Sequence, residues 1–165
     1  MTRFIWIFLW FVLISAPILG NNNLVFEFNG KALIGRQNNQ VVLTMPASAG
    51  RPFFRSPSYQ YLKNKGPLPE GIYTVEWDNT VYFSQPGMLN TLKWLAKYIA
   101  WGNLAIPLTP DASTDLKGRH SFMIHGGGWV VGSKGCVVVY GRDKELYRFL
   151  KRSQVPVKLV VRYER

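Results

Sequence analysis

Apolar positions along the chain fall into short runs, many of them alternating, separated by turn-forming residues. Leu24–Phe28 and Lys31–Gly35 read as two short strands around Asn29-Gly30, a strong two-residue hairpin signal. The stretch RQNNQ at 36–40 offers a second turn before the apolar run VVLTM at 41–45. From Pro46 to Pro69 prolines and glycines interrupt scattered aromatics, which predicts irregular loop. A strand follows over Ile72–Trp77, then an Asp78-Asn79 turn and a strand to Phe83. Between Pro86 and Gly102 the spacing changes: Leu89, Leu92, Leu95 and Ile99 recur on one helical face and predict a first helix. Phe122–His125 and Cys136–Tyr140 read as strands flanking a glycine-rich turn. DKELYRFLKR at 143–152 is a second helix, started by Asp143 and ended among basic residues. VPVKLVVRY at 155–163 closes as a strand. There is no internal repeat, so the pattern predicts one mainly β domain (α+β) with two helices.

The first twenty residues follow a different pattern. Arg3 precedes an unbroken apolar run from Phe4 to Ile14, and small residues with Pro17 follow. That is the layout of an export signal, and the run is short against the roughly 20 apolar residues that cross a bilayer. No Ala-x-Ala site is visible, and Gly20 before three asparagines is the best break, so an uncleaved anchor with membrane contact through residues 4–19 stays open. The expected division is an export signal or anchor at 1–20 and one domain at 21–165. The chain is then expected to be exported, either released or held at the outer face of a membrane.

Composition narrows the function classes. With 47% hydrophobic and 18% charged residues the chain is a folded one rather than a disordered one. Twenty Lys and Arg against nine acids give a formal +11, which suits an anionic partner. The basic residues are scattered, without a run or a nucleic-acid motif, so an anionic surface is expected rather than DNA or RNA. One cysteine excludes an internal disulfide, and a lone thiol in an oxidising compartment directs attention to Cys136 as a chemical group.

Both histidines and that cysteine fall within HSFMIHGGGWVVGSKGCVVV, His120–Val139. Nucleophilic thiol chemistry needs a thiolate, a neighbouring base, and fixed donors for the developing oxyanion. If the strands ending at His125 and starting at Cys136 pair, imidazole and sulfur come within reach of each other. Gly135 then lets the backbone turn so that the Gly135 and Cys136 amides face a bound carbonyl. Ser133 either holds that turn by bonding to the backbone or orients the imidazole. A cysteine heading CVVV is also an ordinary core residue, and three glycines are also an ordinary turn. A metal site from His120, His125 and Cys136 fits less well, since no acid lies between them and the spacing is loose. No metal and no cofactor is expected.

The segment IHGGGWVVGSKGCVVV resembles the active-site signature of the L,D-transpeptidase catalytic-domain family. Within it, His125-Gly126-Gly127-Gly128 and Ser133-Lys134-Gly135-Cys136 resemble the shorter His-x-x-Gly and Ser-x-Gly-Cys motif of the small type VI secretion antibacterial effectors. NGKAL, PASAG, GPLPEGIYTV, IPLTP and GRHSFMIHGG are similar too, so the resemblance covers about Leu24 to Tyr140. It implies a β-sandwich or barrel and acyl transfer on peptidoglycan stem peptides, as L,D-carboxypeptidase or D-amino-acid-exchange L,D-transpeptidase. Cys136 is then the nucleophile and His125 the base, with Gly135 and Ser133 shaping the turn. Arg119 and His120 are candidates for holding a substrate carboxylate, and Gly127, Gly128 and Lys134 are assigned to substrate binding. The effector branch leads one to expect a cognate immunity protein. Two departures stand out: Lys134 replaces the second His of the common turn, and Val138 stands where Arg is usual. They motivate the alternative of a non-catalytic wall-binding module of the same fold.

Overall fold

The computed structural model describes residues 23–83, 91–127, 132–153 and 157–164. The expected signal or anchor at 1–20, and Gly128, lie outside the described residues. The first hairpin forms as its pattern dictates, with a shift at the turn. Strand β1 (Leu24–Phe28) buries Leu24, Phe26 and Phe28, and pairs with β2 (Ala32–Gln37) so that Phe28 faces Leu33. Asn29 closes the strands rather than occupying the turn. Its Oδ1 accepts the Lys31 and Ala32 amides at 3.0 and 2.8 Å. The two central residues are therefore Gly30 and Lys31, and Gly30 takes the left-handed position at φ +95°. Asn38 and Asn39, both left-handed, then turn the chain into β3 (Gln40–Pro46).

Seven further strands and two helices follow: β4 (Ser48–Ala49), β5 (Gly71–Val75), β6 (Val81–Tyr82), α1 (Thr91–Trp101), β7 (Leu104–Pro110), β8 (Met123–His125), β9 (Val137–Val138), α2 (Asp143–Ser153) and β10 (Val157–Val161). Their sheet runs β3-β2-β1-β10-β5-β7-β8-β9-β4, with β6 also on β7. Its two end strands, β3 and β4, are joined through Ala47 alone, so the chain itself links the ends of the path and the sheet forms a nearly closed barrel. The expectation of a mainly β domain with two helices holds.

Two strands were not expected. β7 carries Pro107 and Pro110, which break a strand pattern because proline has no amide to donate. It nevertheless occupies the middle of the sheet. Leu108–Pro110 pair with β5 and Ala105–Pro107 with β8, and Pro107 still accepts the Glu76 amide through its carbonyl at 3.0 Å. β4 is two residues inside a stretch expected to be loop, and it exists through its partner β9. The strand expected to reach Trp77 stops at Val75, where a 3-10 turn over Trp77–Asn79 redirects the chain to β6.

The core fills the barrel with Phe26, Phe28, Leu33, Tyr73, Ile124 and Leu159, all at or below 1% exposure. Helix α2 adds Leu146 and Leu150, one turn apart, and sets Phe149 edge-on against Phe26. Its acids lie in the first turn and Lys151 and Arg152 in the last, as the helix dipole favours. Helix α1 differs. Leu95 and Ile99, on the stripe that predicted it, are exposed, and what the helix gives the site is its last turn.

Candidate active site

His125 is the last residue of β8, a short strand held on both sides. Ala105 of β7 faces it across one ladder and Val138 of β9 across the other. β8 and β9 run parallel, so the connection between them is a crossover and not the hairpin that its glycines suggest. Because Ile124 faces Val137, Cys136 lies one step before β9, beside Met123. Cys136 is therefore two residues back from the partner of His125. Side chains two apart share a face, so sulfur and imidazole project from the same side of the pair, about 8 Å apart at the backbone. Both line one pocket of about 430 Å³, together with Ala100, Trp101, Gly132, Ser133, Lys134 and Arg51.

The turn before Cys136 is built on Ser133. Its hydroxyl accepts the Gly50 amide at 3.0 Å and the Gly135 amide at 3.2 Å, and donates to the Cys136 carbonyl at 2.6 Å. Of its two expected roles, Ser133 takes the first, bonding to the backbone. One consequence is that the Gly135 amide, expected to face an oxyanion, points at Ser133 instead, leaving the Cys136 amide as the candidate donor. Gly135 itself sits at φ +123°, and a Cβ there would collide with the Arg119 guanidinium.

Arg119 supports the same turn from behind. It is buried, and its two terminal nitrogens donate to the carbonyls of Gln60 (2.7 Å), Pro67 (2.6 Å), Gly66 (3.0 Å) and Lys134 (3.0 Å). With its donors spent on backbone it braces the thiol's turn, and it does not line the pocket. His120 is exposed, bonded to Ser121 Oγ at 2.7 Å, beside a separate hollow that includes Asn64 and Phe122. Arg119 and His120 thus lie outside the pocket lined by Cys136, His125 and Ser133, while Lys134 borders both that pocket and the hollow beside His120. Gly127 lies against the end of α1, where a Cβ would meet the Ala100 and Trp101 backbone. This approach lets Trp101 reach the imidazole, ring centroids 4.9 Å apart.

The electrostatics are those of a buried pair. Burial pushes the Cys136 thiol up, while the Met123 backbone and the Arg119 charge pull it back. Burial pushes His125 down to about 4, opposed by the Asp143 carboxylate. Its Nδ1 is buried without a hydrogen-bond partner among the described residues. Near neutral pH the resting state is therefore a thiol and a neutral imidazole.

Three contributors escaped the sequence reading. Asp143, read as a helix start, is the first residue of α2, but its carboxylate accepts the Asn103 and Leu104 amides at 2.7 and 2.9 Å. It thereby joins α2 to the start of β7 and places a negative charge behind His125. Trp101 was read only as part of a helix, and Arg51 followed a stretch noted for resemblance alone. No local pattern marks either, because the β4–β9 pairing and the Gly127 approach bring them in.

No curated protein matches the chain. Among solved structures it is similar to an L,D-transpeptidase from Xylanimonas cellulosilytica at 14% identity, with a TM-score of 0.49 over 85% of this chain and 60% of that one. It is also similar to L,D-transpeptidase 1 of Mycobacterium tuberculosis, at 17% identity, TM-score 0.45, 85% and 62%. An L,D-transpeptidase from Mycobacterium smegmatis gives 15%, 0.45, 86% and 59%. The chain thus spans about three fifths of the length of each. The Tlde1 domain model matches residues 48–162, a span that contains every pocket residue named above. The family resemblance read from the His125–Cys136 segment is borne out: the chain belongs to the Tlde1 domain family.

Proposed function

We propose that this domain is a cysteine acyl-transfer enzyme acting on peptidoglycan stem peptides, with Cys136 as nucleophile and His125 as base. The observation that carries the reading is the single pocket shared by the Cys136 sulfur and the His125 imidazole, with the turn between them braced by Ser133 and Arg119. His125 takes the thiol proton as sulfur bonds to the carbonyl carbon of the third stem residue, a diaminopimelate in most Gram-negative walls. The carbonyl electrons move to oxygen, which the Cys136 amide meets; one oxyanion donor is worth roughly 3 kcal/mol in serine enzymes. Collapse breaks the C–N bond to the terminal D-Ala, whose amine leaves with the proton from His125. The thioester then goes to water, giving a tripeptide, to a free D-amino acid, giving exchange, or to an amine of another stem, giving a cross-link. In each route His125 takes a proton from the incoming water or amine and passes it to sulfur as the C–S bond breaks.

Burial makes the imidazolium of this cycle costly, and Asp143 is the charge that offsets it. The formal +11 suits an anionic wall. In this reading the protein is exported or delivered to the periplasm as an antibacterial effector, and its producer holds a cognate immunity protein. The test is muropeptide analysis of wall digests. Wild type converts tetrapeptides to tripeptides or exchange products and Cys136→Ala does not; full activity in the Ala variant sinks the mechanism. The raised thiol favours one second reading, a non-catalytic wall-binding module. Stable acylation of Cys136 by a carbapenem excludes that module, and an inert thiol supports it.

A further inference from the structure

Three cations border the turn that carries Cys136, and they are not equivalent. Arg119 has both terminal nitrogens committed to backbone carbonyls. Arg51 and Lys134 instead line the pocket itself, are exposed, and have no side-chain hydrogen bond or ion pair among the described residues. Among the described residues, no acid lines that pocket. Tight packing fixes both at the same edge. Gly50 and Ser133 are bonded twice, the Ser133 amide donating to the Gly50 carbonyl at 3.2 Å and the Gly50 amide to the Ser133 side-chain Oγ at 3.0 Å. Gly132, left-handed at φ +66°, would set a Cβ 2.9 Å from the Arg51 Cα, so only a glycine allows the two segments to meet there. The Arg51 backbone is anchored from the other side, its amide donating to the Lys65 carbonyl at 2.8 Å. Opposite in character, Ala100 and Trp101 supply an apolar wall.

A pocket with a nucleophile, an apolar wall and two uncompensated cations is built for a substrate carrying a negative charge close to the bond that breaks. We infer that Arg51 and Lys134 together receive the free terminal carboxylate of the peptide substrate, and so restrict the enzyme to chain ends. The inference rests on the acyl-transfer reading above. When the released residue is the last of the stem, its carboxylate lies one residue beyond the attacked carbonyl, within the same pocket. A planar guanidinium takes a carboxylate through two parallel hydrogen bonds, and the Lys134 ammonium adds a point charge. A peptide continuing past that residue, or ending in an amide, offers neither cation a charge.

The test compares a stem tetrapeptide with its C-terminal amide, using the full chain. Wild type favours the acid over the amide by about 10- to 100-fold in kcat/KM, the range of a charge-assisted hydrogen bond. The preference shrinks as salt is raised. Arg51→Gln with Lys134→Gln brings the acid-to-amide ratio towards one, and Arg51→Lys restores part of it, which a merely misfolded variant cannot do. Equal turnover of acid and amide by wild type, or an unchanged ratio in the double variant, overturns the inference. If wild type turns over neither peptide, the reaction assignment fails by itself. Binding of the two peptides to Cys136→Ala then decides the carboxylate site: a tighter acid supports it, and equal affinities overturn it.

Discussion

Removing one oxygen atom, Ser133→Ala, tests how the turn at Cys136 is held. The hydroxyl is buried and makes three bonds, accepting the Gly50 and Gly135 amides and donating to the Cys136 carbonyl. The carbonyl tolerates the loss best, since it only forfeits a donor. The two amides lose their acceptor inside the protein, and each orphaned buried donor costs about 1–2 kcal/mol. Alanine returns little, because the methyl group was already packed. The expected destabilisation is about 2–4 kcal/mol, a fall in melting temperature of roughly 5–15 °C at this chain length. Urea unfolding followed by tryptophan fluorescence measures it, with Ser121→Ala as control. Ser121 is exposed and among the described residues its hydroxyl bonds the exposed His120 alone, so its loss is expected within about 0.5 kcal/mol of wild type. If the two variants are equally stable, Ser133 does not hold the turn and its three short contacts carry no energy.

The remaining predictions concern charge. His125 is held down to about 4 against an unfolded value near 6.5. As pH falls the unfolded chain takes up that proton first. The stabilisation of about 3 kcal/mol is therefore present above about pH 6.5 and lost between there and about pH 4. Subtracting the unfolding free energies of His125→Asn from those of wild type isolates it; a difference flat with pH over that window refutes the burial argument. Asp143→Asn removes the charge that opposes this depression, so NMR titration should place His125 lower still, with about 2 kcal/mol of stability lost at the Asn103 and Leu104 amides. An unmoved midpoint shows the carboxylate to be purely structural. With the Cys136 thiol raised, alkylation by iodoacetamide at pH 7 is expected to be slower than that of an unhindered free thiol and to climb beyond pH 9. A plateau at pH 6–7 would instead reveal a resting thiolate–imidazolium pair.

What could be read from the sequence was whatever is encoded locally. The first hairpin, both helices and the last strand come from alternation, helical spacing and turn residues, each a property of neighbours in the chain. The motif also carried the family, because His125, Ser133, Gly135 and Cys136 lie within twelve residues. Strand β7 was hidden because two prolines overrule the pattern, although proline costs a strand only its amide and Pro107 keeps its carbonyl bond. The charge state of the site was hidden for a different reason. The charge that acts on the sulfur is that of Arg119, seventeen residues earlier in the chain and brought in behind the turn. The same holds for Asp143, whose neighbours in sequence are helical and whose partners are on β7.

The parallel pairing of β8 and β9 has an evolutionary side. In a hairpin, adding a residue to the loop shifts the register and turns side chains to the wrong face. Here the alignment of Ile124 with Val137 is set by the ladder, and the residues between His125 and Val137 only have to cross over. Lengthening such a crossover costs only the slow logarithmic rise of loop entropy. Spacing between the histidine and the cysteine is therefore free to drift among relatives while imidazole and sulfur keep their positions. The ladder between β8 and β9, rather than the number of residues separating His125 from Cys136, is what fixes the pair.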